Sequence, residues 1–166
     1  RALGEMSDAD VTARLVSVGE VHGRDAEAAQ AAYGRGTALA SERRYEEAAR
    51  ELARALALQP DLTEAHLGLG YARLDTNEAA QALREFEFVL AKNPNSPGAR
   101  VGVGIARIRL GRIDEGIRLL EEAVVLNPEP VRGYYELGRA YEARGDTARA
   151  VSHYRWAFLK LLQGRK

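Results

Sequence analysis

The sequence predicts an all-α protein built from four stacked copies of one helical hairpin. Two kinds of helix-shaping residue, prolines and glycines, recur every 34 residues and are the basis of this prediction. The prolines, which end a helix because they lack the amide donor, are Pro60, Pro94 and Pro128. The glycines that recur with the same period are Gly36, Gly70, Gly104 and Gly138.

Three further columns follow each glycine at fixed distances. Small residues stand twelve positions later, at Ala48, Ala82, Gly116 and Ala150. Bulky residues follow at Leu52, Phe86, Leu120 and Tyr154, and small apolar residues at Ala55, Val89, Ala123 and Ala157. Small residues at fixed helical positions let two helices approach closely, and the bulky residue then fills the space between them. Such a hairpin cannot bury its apolar face alone, so the copies must stack.

The fourth copy shows which family this pattern resembles. Its signature residues are Tyr134, Leu137, Gly138, Tyr141, Ala150, Tyr154 and Ala157. This order of residues resembles the tetratricopeptide repeat, a helix–turn–helix unit of 34 residues. The resemblance gives four units, at 29–62, 63–96, 97–130 and 131–164. It implies a right-handed superhelical solenoid whose concave groove is lined by the first helix of each unit.

Turn residues separate the two helices of a unit. They are Asn77-Glu78, Gly111-Arg112 and Gly145-Asp146 in units two to four. Unit four has Leu162 where the other units have the closing proline. We therefore expect its last helix to run on towards Gln163.

Residues 1–28 precede the repeats and are predicted to add a short N-terminal helix. Its helically spaced residues are Val11, Leu15, Val18 and His22, with Ser7 or Asp8 as the cap. Gly19 and Gly23 weaken this helix. It either covers the open end of unit one or occupies the groove of its own or a neighbouring chain, as its apolar stripe and net negative charge suggest.

The last helix carries more apolar residues than one buried stripe needs. They are Tyr154, Trp156, Phe158, Leu159, Leu161 and Leu162. Exposed apolar patches of this kind usually mark interfaces. The pattern predicts either self-association through the terminal helices or an array that continues beyond this sequence.

Composition excludes several classes of function. The chain has 24 basic and 24 acidic residues, so no basic excess indicates nucleic-acid binding. No apolar run approaches the ~20 residues of a membrane-spanning helix, so direct membrane insertion is not expected. The absence of cysteine excludes thiolate chemistry. Arginine-rich usage suggests a bacterial source, while cytoplasm and periplasm both stay open.

No catalytic constellation is visible. The three histidines, His22, His66 and His153, lack metal-ligand spacing, and His66 occupies a packing position. Gly102 and Gly104 do not form a nucleotide loop, because no strand precedes them. The sequence therefore indicates neither an enzyme nor a metal or cofactor site.

The resemblance also implies where a ligand would bind. Family ligands usually lie against positions 2, 5, 9, 12 and 13 of each unit. These positions predict a peptide-binding groove formed by Tyr33, Thr37, Leu67, Tyr71, Leu74, Val101, Ile105, Ile108 and Tyr135. The family's co-chaperones hold acidic chaperone tails with Lys and Asn where this chain has Tyr33 and Thr37, so that activity is not expected. An apolar, aromatic strip instead favours an amphipathic helix or an extended peptide with apolar anchors.

Five arginines are predicted to border that strip and to contact anions. They are Arg73, Arg107, Arg109, Arg132 and Arg139. Their planar donors suit a ligand with acidic flanks. The alternative is that Arg73 and Arg107 only pair with neighbouring acids.

The sequence thus predicts a non-catalytic protein–protein interaction scaffold with a peptide or protein ligand. Two other interpretations stay open. One is a structural protein that assembles head to tail through its ends. The other is the repeat domain of a larger bacterial envelope, secretion, pilus or polysaccharide-export component.

Overall fold

The computed structural model describes residues 8–126 and 131–164, with the side chains of Arg14 and of residues from His22 onwards. Within these residues the chain forms eight α-helices and no strand. Their bounds are α1 Asp8–Ser41, α2 Tyr45–Leu58, α3 Thr63–Asp75, α4 Ala79–Lys92, α5 Pro97–Arg109, α6 Ile113–Leu126, α7 Val131–Ala143 and α8 Thr147–Gln163. Consecutive helices pair as four hairpins, and each hairpin packs on the next, as the 34-residue period predicts.

The three predicted turns are present, and the turn of unit one shares their backbone conformation. Asn77, Gly111 and Gly145 have φ angles of 65°, 83° and 76°, and Arg43 occupies the same repeat position with 63°. This left-handed residue lets the chain reverse between the helices of a unit. The amide of the next residue then donates to a carbonyl five residues back, for example Glu78 N to Arg73 O at 2.7 Å.

The glycine column permits the close approach that its spacing predicts. A methyl group placed on Gly70 would lie 2.6 Å from Cε1 of Phe86, and one placed on Gly138 would lie 2.5 Å from Cδ1 of Tyr154. Gly102, on the next unit, approaches the Phe86 ring equally closely, since a methyl group placed there would lie 2.5 Å from Cε1. Phe86 is therefore fully buried between two glycine-bearing helices.

The N-terminal segment differs from the prediction of a short helix. Residues 8–28 continue without a break into the first helix of unit one, so that α1 has 34 residues. Neither Gly19 nor Gly23 interrupts it, because glycine lowers helix propensity without removing a hydrogen bond. The apolar stripe of Val11, Leu15 and Val18 lies outside the described side chains.

The ends of the second helices agree with the repeat pattern. Helices α2 and α4 end two residues before Pro60 and Pro94 respectively. Pro128 lies outside the described residues. Helix α8, which has no closing proline, runs to Gln163 as expected.

Candidate functional site

The predicted groove residues lie on the first helices of the four units, namely the C-terminal part of α1 and helices α3, α5 and α7. Side chains link α3, α5 and α7 directly. The Tyr71 hydroxyl on α3 donates to the carbonyl oxygen of Gly98 on α5 at 2.7 Å. Burial raises the pKa of Tyr71 to about 12, so the hydroxyl stays protonated and keeps this bond even above the ordinary tyrosine pKa of about 10.

An ion pair spans the groove between units two and four. The Arg132 guanidinium on α7 donates to both carboxylate oxygens of Asp75 on α3, at 2.7 and 3.2 Å. The same guanidinium lies 4.7 Å from the centre of the Tyr71 ring, in cation–π geometry. Tyr71 is thus covered by Arg132 as well as tied to α5.

A second cluster of charges lies beside this pair. Arg109 on α5 donates to the carbonyl oxygen of Leu74 on α3, and to Glu136 on α7 at 3.3 Å. Glu136 also accepts from Arg139 at 3.5 Å. Its carboxylate is buried, so the two arginines stabilise its charge where water does not.

Three residues of the predicted apolar strip are not available on the groove surface. Leu74, Val101 and Ile105 are fully buried in the core. The packed helices exclude a ligand from these side chains in this conformation, and long polar side chains such as Arg109 lie at the surface instead. The three residues support the groove from beneath.

The other members of the strip keep some accessible surface. Tyr33, Leu67, Tyr71 and Ile108 are partly buried, whereas Thr37 and Tyr135 are exposed. Tyr135 lies beside Tyr154, with ring centres 5.7 Å apart. Accessible residues of the strip therefore occur in all four units, and the exposed ones lie in units one and four.

The five arginines divide into two groups. Arg73 donates to Glu85 on α4 at 2.7 Å, and Arg107 lies 3.7 Å from both Glu87 on α4 and Glu115 on α6. These partners belong to second helices, so both arginines pair with acids away from the groove. Arg109, Arg132 and Arg139 instead pair with acids of the first helices, on the groove side.

Sequence reasoning missed Glu136 as part of the site. It stands at the sixth position of unit four, where the other units have Gly34, Gly68 and Gly102. A carboxylate in a column of glycines is a signal that could have revealed the buried charge. Its arginine partners are Arg109 on α5 and Arg139 on α7. These are the first helices of two different units, so no single repeat contains the whole cluster.

His66 has a structural environment. Its Nδ1 lies 2.6 Å from a carboxylate oxygen of Glu85, and its Nε2 lies 2.9 Å from the carbonyl oxygen of Pro60. The ring stacks on Phe88 with centres 3.8 Å apart.

Among the described residues, no group of acidic and histidine side chains could hold a metal ion. The described helices also include none with the length and apolar character that crossing a bilayer requires.

Stacked helical hairpins with a shared concave face define a class of helical-repeat proteins that bind other proteins. Two family models described as "Tetratricopeptide repeat" match the chain, one over residues 39–95 and one over residues 102–157. The chain belongs to the tetratricopeptide repeat family. The sequence matches no curated protein.

Solved structures of the same fold extend this comparison. MamA (residues 41 to the end) from Desulfovibrio magneticus RS-1 is 25% identical, with a TM-score of 0.64 over 83% of this chain and 78% of that chain. The thermophilic repeat protein TTC0263 of Thermus thermophilus is 22% identical, with a TM-score of 0.70 over 80% of this chain and 74% of that chain. Both confirm an all-α solenoid of tetratricopeptide repeats.

Proposed function

We propose that this protein–protein interaction scaffold binds a peptide or helix of its partner in the concave groove, with the main contacts in units one and two. The observation that supports this most directly is the contrast along the groove. Tyr33, Thr37 and Leu67 offer accessible apolar and hydroxyl surface, whereas the Asp75–Arg132 and Arg109–Glu136 ion pairs cover the surface from Tyr71 of unit two to unit four. Tetratricopeptide repeat proteins are generally non-catalytic scaffolds, which agrees with this use of the groove.

The apolar anchors of the ligand would contact Tyr33 and Leu67. Both side chains are held by packing, Tyr33 and Leu67 each lying against a core cluster. A tyrosine held in this way contributes large contact area at little cost in side-chain entropy. A ligand therefore gains affinity here without first ordering the site.

Acidic flanks of the ligand would contact Arg139. Of the three groove-side arginines it is the most exposed, with 53% of its side chain accessible, and its bond to Glu136 is long at 3.5 Å. Arg132 is held at shorter range by both oxygens of Asp75, so a ligand carboxylate would have to displace that pair. Arg139 keeps donors that a ligand can use without such a displacement.

Selection from a random peptide library displayed on phage tests the proposal. Peptides enriched on the wild-type chain should lose affinity roughly thirtyfold on Tyr33→Ala, the loss that about 2 kcal/mol at a hot spot gives. Leu67→Ala should weaken them in the same direction. Val125→Ala is the matched control, because Val125 is highly exposed but lies on the second helix α6. Unchanged affinity for Tyr33→Ala and Leu67→Ala would refute the groove assignment.

A charge-reversal pair tests the acidic flank. Arg139→Glu should weaken those selected peptides that carry acidic residues, and the weakening should fall with added salt. Arg107→Glu changes the same charge away from the groove and should leave peptide affinity unchanged. Equal effects of the two variants, or none of either, would contradict the role of Arg139.

A further inference from the structure

The chain repeats one unit-to-unit contact, between units one and two and again between units two and three. If each unit is numbered from 1 to 34, with residue 29 as position 1, the bulky residue at position 24 packs on position 6 of the next unit. A methyl group placed on Gly68 would lie 3.3 Å from Leu52, and one placed on Gly102 would lie 2.5 Å from Phe86. Position 28 packs on position 3 of the next unit in the same way, as Val124 does on Gly133.

Unit four exposes to solvent the apolar residues that, in the earlier units, pack on the next unit. We call this surface, formed by Tyr135, Val151 and Phe158 at positions 5, 21 and 28, the downstream face. Phe158 is 60% exposed, whereas Val124 at the same position of unit three is 4% exposed. Val151 is likewise 59% exposed against 4% for Ile117. The residues at positions 5, 21 and 28 are apolar in every unit, and only in unit four are all three exposed.

Unit one exposes the small residues on which, in the later units, the preceding unit packs. We call the surface formed by Ala31, Gly34 and Ala38, at positions 3, 6 and 10, the upstream face; all three are exposed. The same positions hold the same residue types in the next two units. They are Ala65, Gly68 and Ala72 in unit two, and Ala99, Gly102 and Ala106 in unit three. There, the alanines are buried against the preceding unit.

Among the described residues, nothing packs against Gly34. A methyl group placed on it would meet no atom within 4 Å, although it lies inside α1, where glycine lowers helix propensity relative to alanine. At the same position, Gly102 is needed because Phe86 of the preceding unit lies against it. A bulky residue at position 24 of another chain would give Gly34 the same role.

We infer that a second copy of this chain docks its upstream face on the downstream face, so that the stack of hairpins continues from one copy into the next. The two faces are the two halves of a contact that the chain already makes between its own units. The formal net charge is zero, so no net repulsion opposes association of copies. The contact joins two different faces, and it therefore builds open chains or rings of copies rather than two-fold symmetric pairs.

Light scattering over a range of protein concentrations tests this inference. The wild-type chain should show a mass that rises with concentration. Gly34→Glu and Phe158→Glu should each lose that rise while keeping wild-type helical content by circular dichroism. Leu159→Glu is the matched control: its residue is apolar and exposed on α8, but its position is exposed in every unit, at Ala57, Ala91 and Val125. It should associate as the wild type does.

Mixing the two defective variants distinguishes a head-to-tail contact from a symmetric one. Gly34→Glu keeps an intact downstream face, and Phe158→Glu keeps an intact upstream face, so an equimolar mixture should form dimers and stop there. A wild-type chain that stays monomeric at its highest soluble concentration would overturn the inference. So would association that Phe158→Glu abolishes and Gly34→Glu leaves intact, because copies would then meet through α8 alone.

Discussion

The interior of the array and its two ends place related residues at the same repeat positions but bury them to very different degrees. Phe86 in unit two is fully buried between glycines of its own unit and the next, whereas Tyr154, its counterpart in unit four, is only partly buried. The local sequence pattern is the same in both places. The difference shows that burial in this fold is set by the presence of a following unit rather than by the hairpin itself.

Removing an aromatic ring from each region should give the largest difference. Phe86→Ala should lower the free energy of unfolding by about 3–5 kcal/mol, because it leaves a cavity that the rigid helices cannot close. Phe158→Ala removes a ring that is mostly in water and should cost less than about 1 kcal/mol. Urea unfolding at low protein concentration measures both. Similar costs at the two sites would mean that the end of the array is packed as tightly as its interior.

Adding a methyl group to each region should give the next largest difference. Gly102→Ala forces the new Cβ against the Phe86 ring and should destabilise the chain by about 1–3 kcal/mol. The same change at Gly34 meets no neighbour, so it should stabilise the helix by up to about 1 kcal/mol. Changes of opposite sign in the free energy of unfolding would support the comparison, and a decrease for both variants would contradict it.

The turn of the first unit offers a smaller effect. Arg43 holds the left-handed conformation that Gly111 supplies in unit three. Arg43→Gly should therefore stabilise the chain by about 0.5–1 kcal/mol, and Gly111→Ala should destabilise it by a similar amount. The reciprocal changes control for each other in one unfolding assay. If both variants lose stability, the strain at Arg43 is compensated elsewhere.

The smallest effect is the pH dependence that His153 contributes in unit four. Burial lowers its pKa below the ordinary 6.5, and its ring stacks on that of Tyr141. The unfolded chain therefore binds the imidazole proton more tightly than the folded chain does. Above about pH 6.5 the imidazole is neutral in both states, and the free energy of unfolding falls as the pH drops through that value. His153→Gln should lose less stability than the wild type between about pH 7.5 and 5.5. Parallel pH curves would show that the imidazole contributes nothing.

The fold follows from the sequence because each marker has a local cause. Prolines after α2 and α4, left-handed turn residues and the glycine column act within one hairpin or between neighbours. The 34-residue period displays the glycines four times, and the prolines and turn residues three times each. Arg43 is an exception, because an arginine in the sequence does not indicate a left-handed backbone conformation. Its conformation follows only from its place in the repeat.

The groove was less predictable because its surface depends on side chains from different units. The Asp75–Arg132 pair joins residues 57 positions apart, and Arg109 of unit three reaches the Leu74 carbonyl of unit two. Position rules assign Leu74, Val101 and Ile105 to the groove without accounting for these long side chains. The continuous α1 is a similar case, since two glycines lower helix propensity without setting a boundary.

Amide hydrogen exchange at low and high protein concentration tests the central claim most directly, namely that the contact repeated inside the array is left open at both of its ends. At high concentration, slower exchange should appear together in residues 31–38 of α1 and residues 151–158 of α8. Exchange in α3 to α6 should not change, because neighbouring units already cover those helices. Slower exchange at only one end, or at neither, would contradict the account.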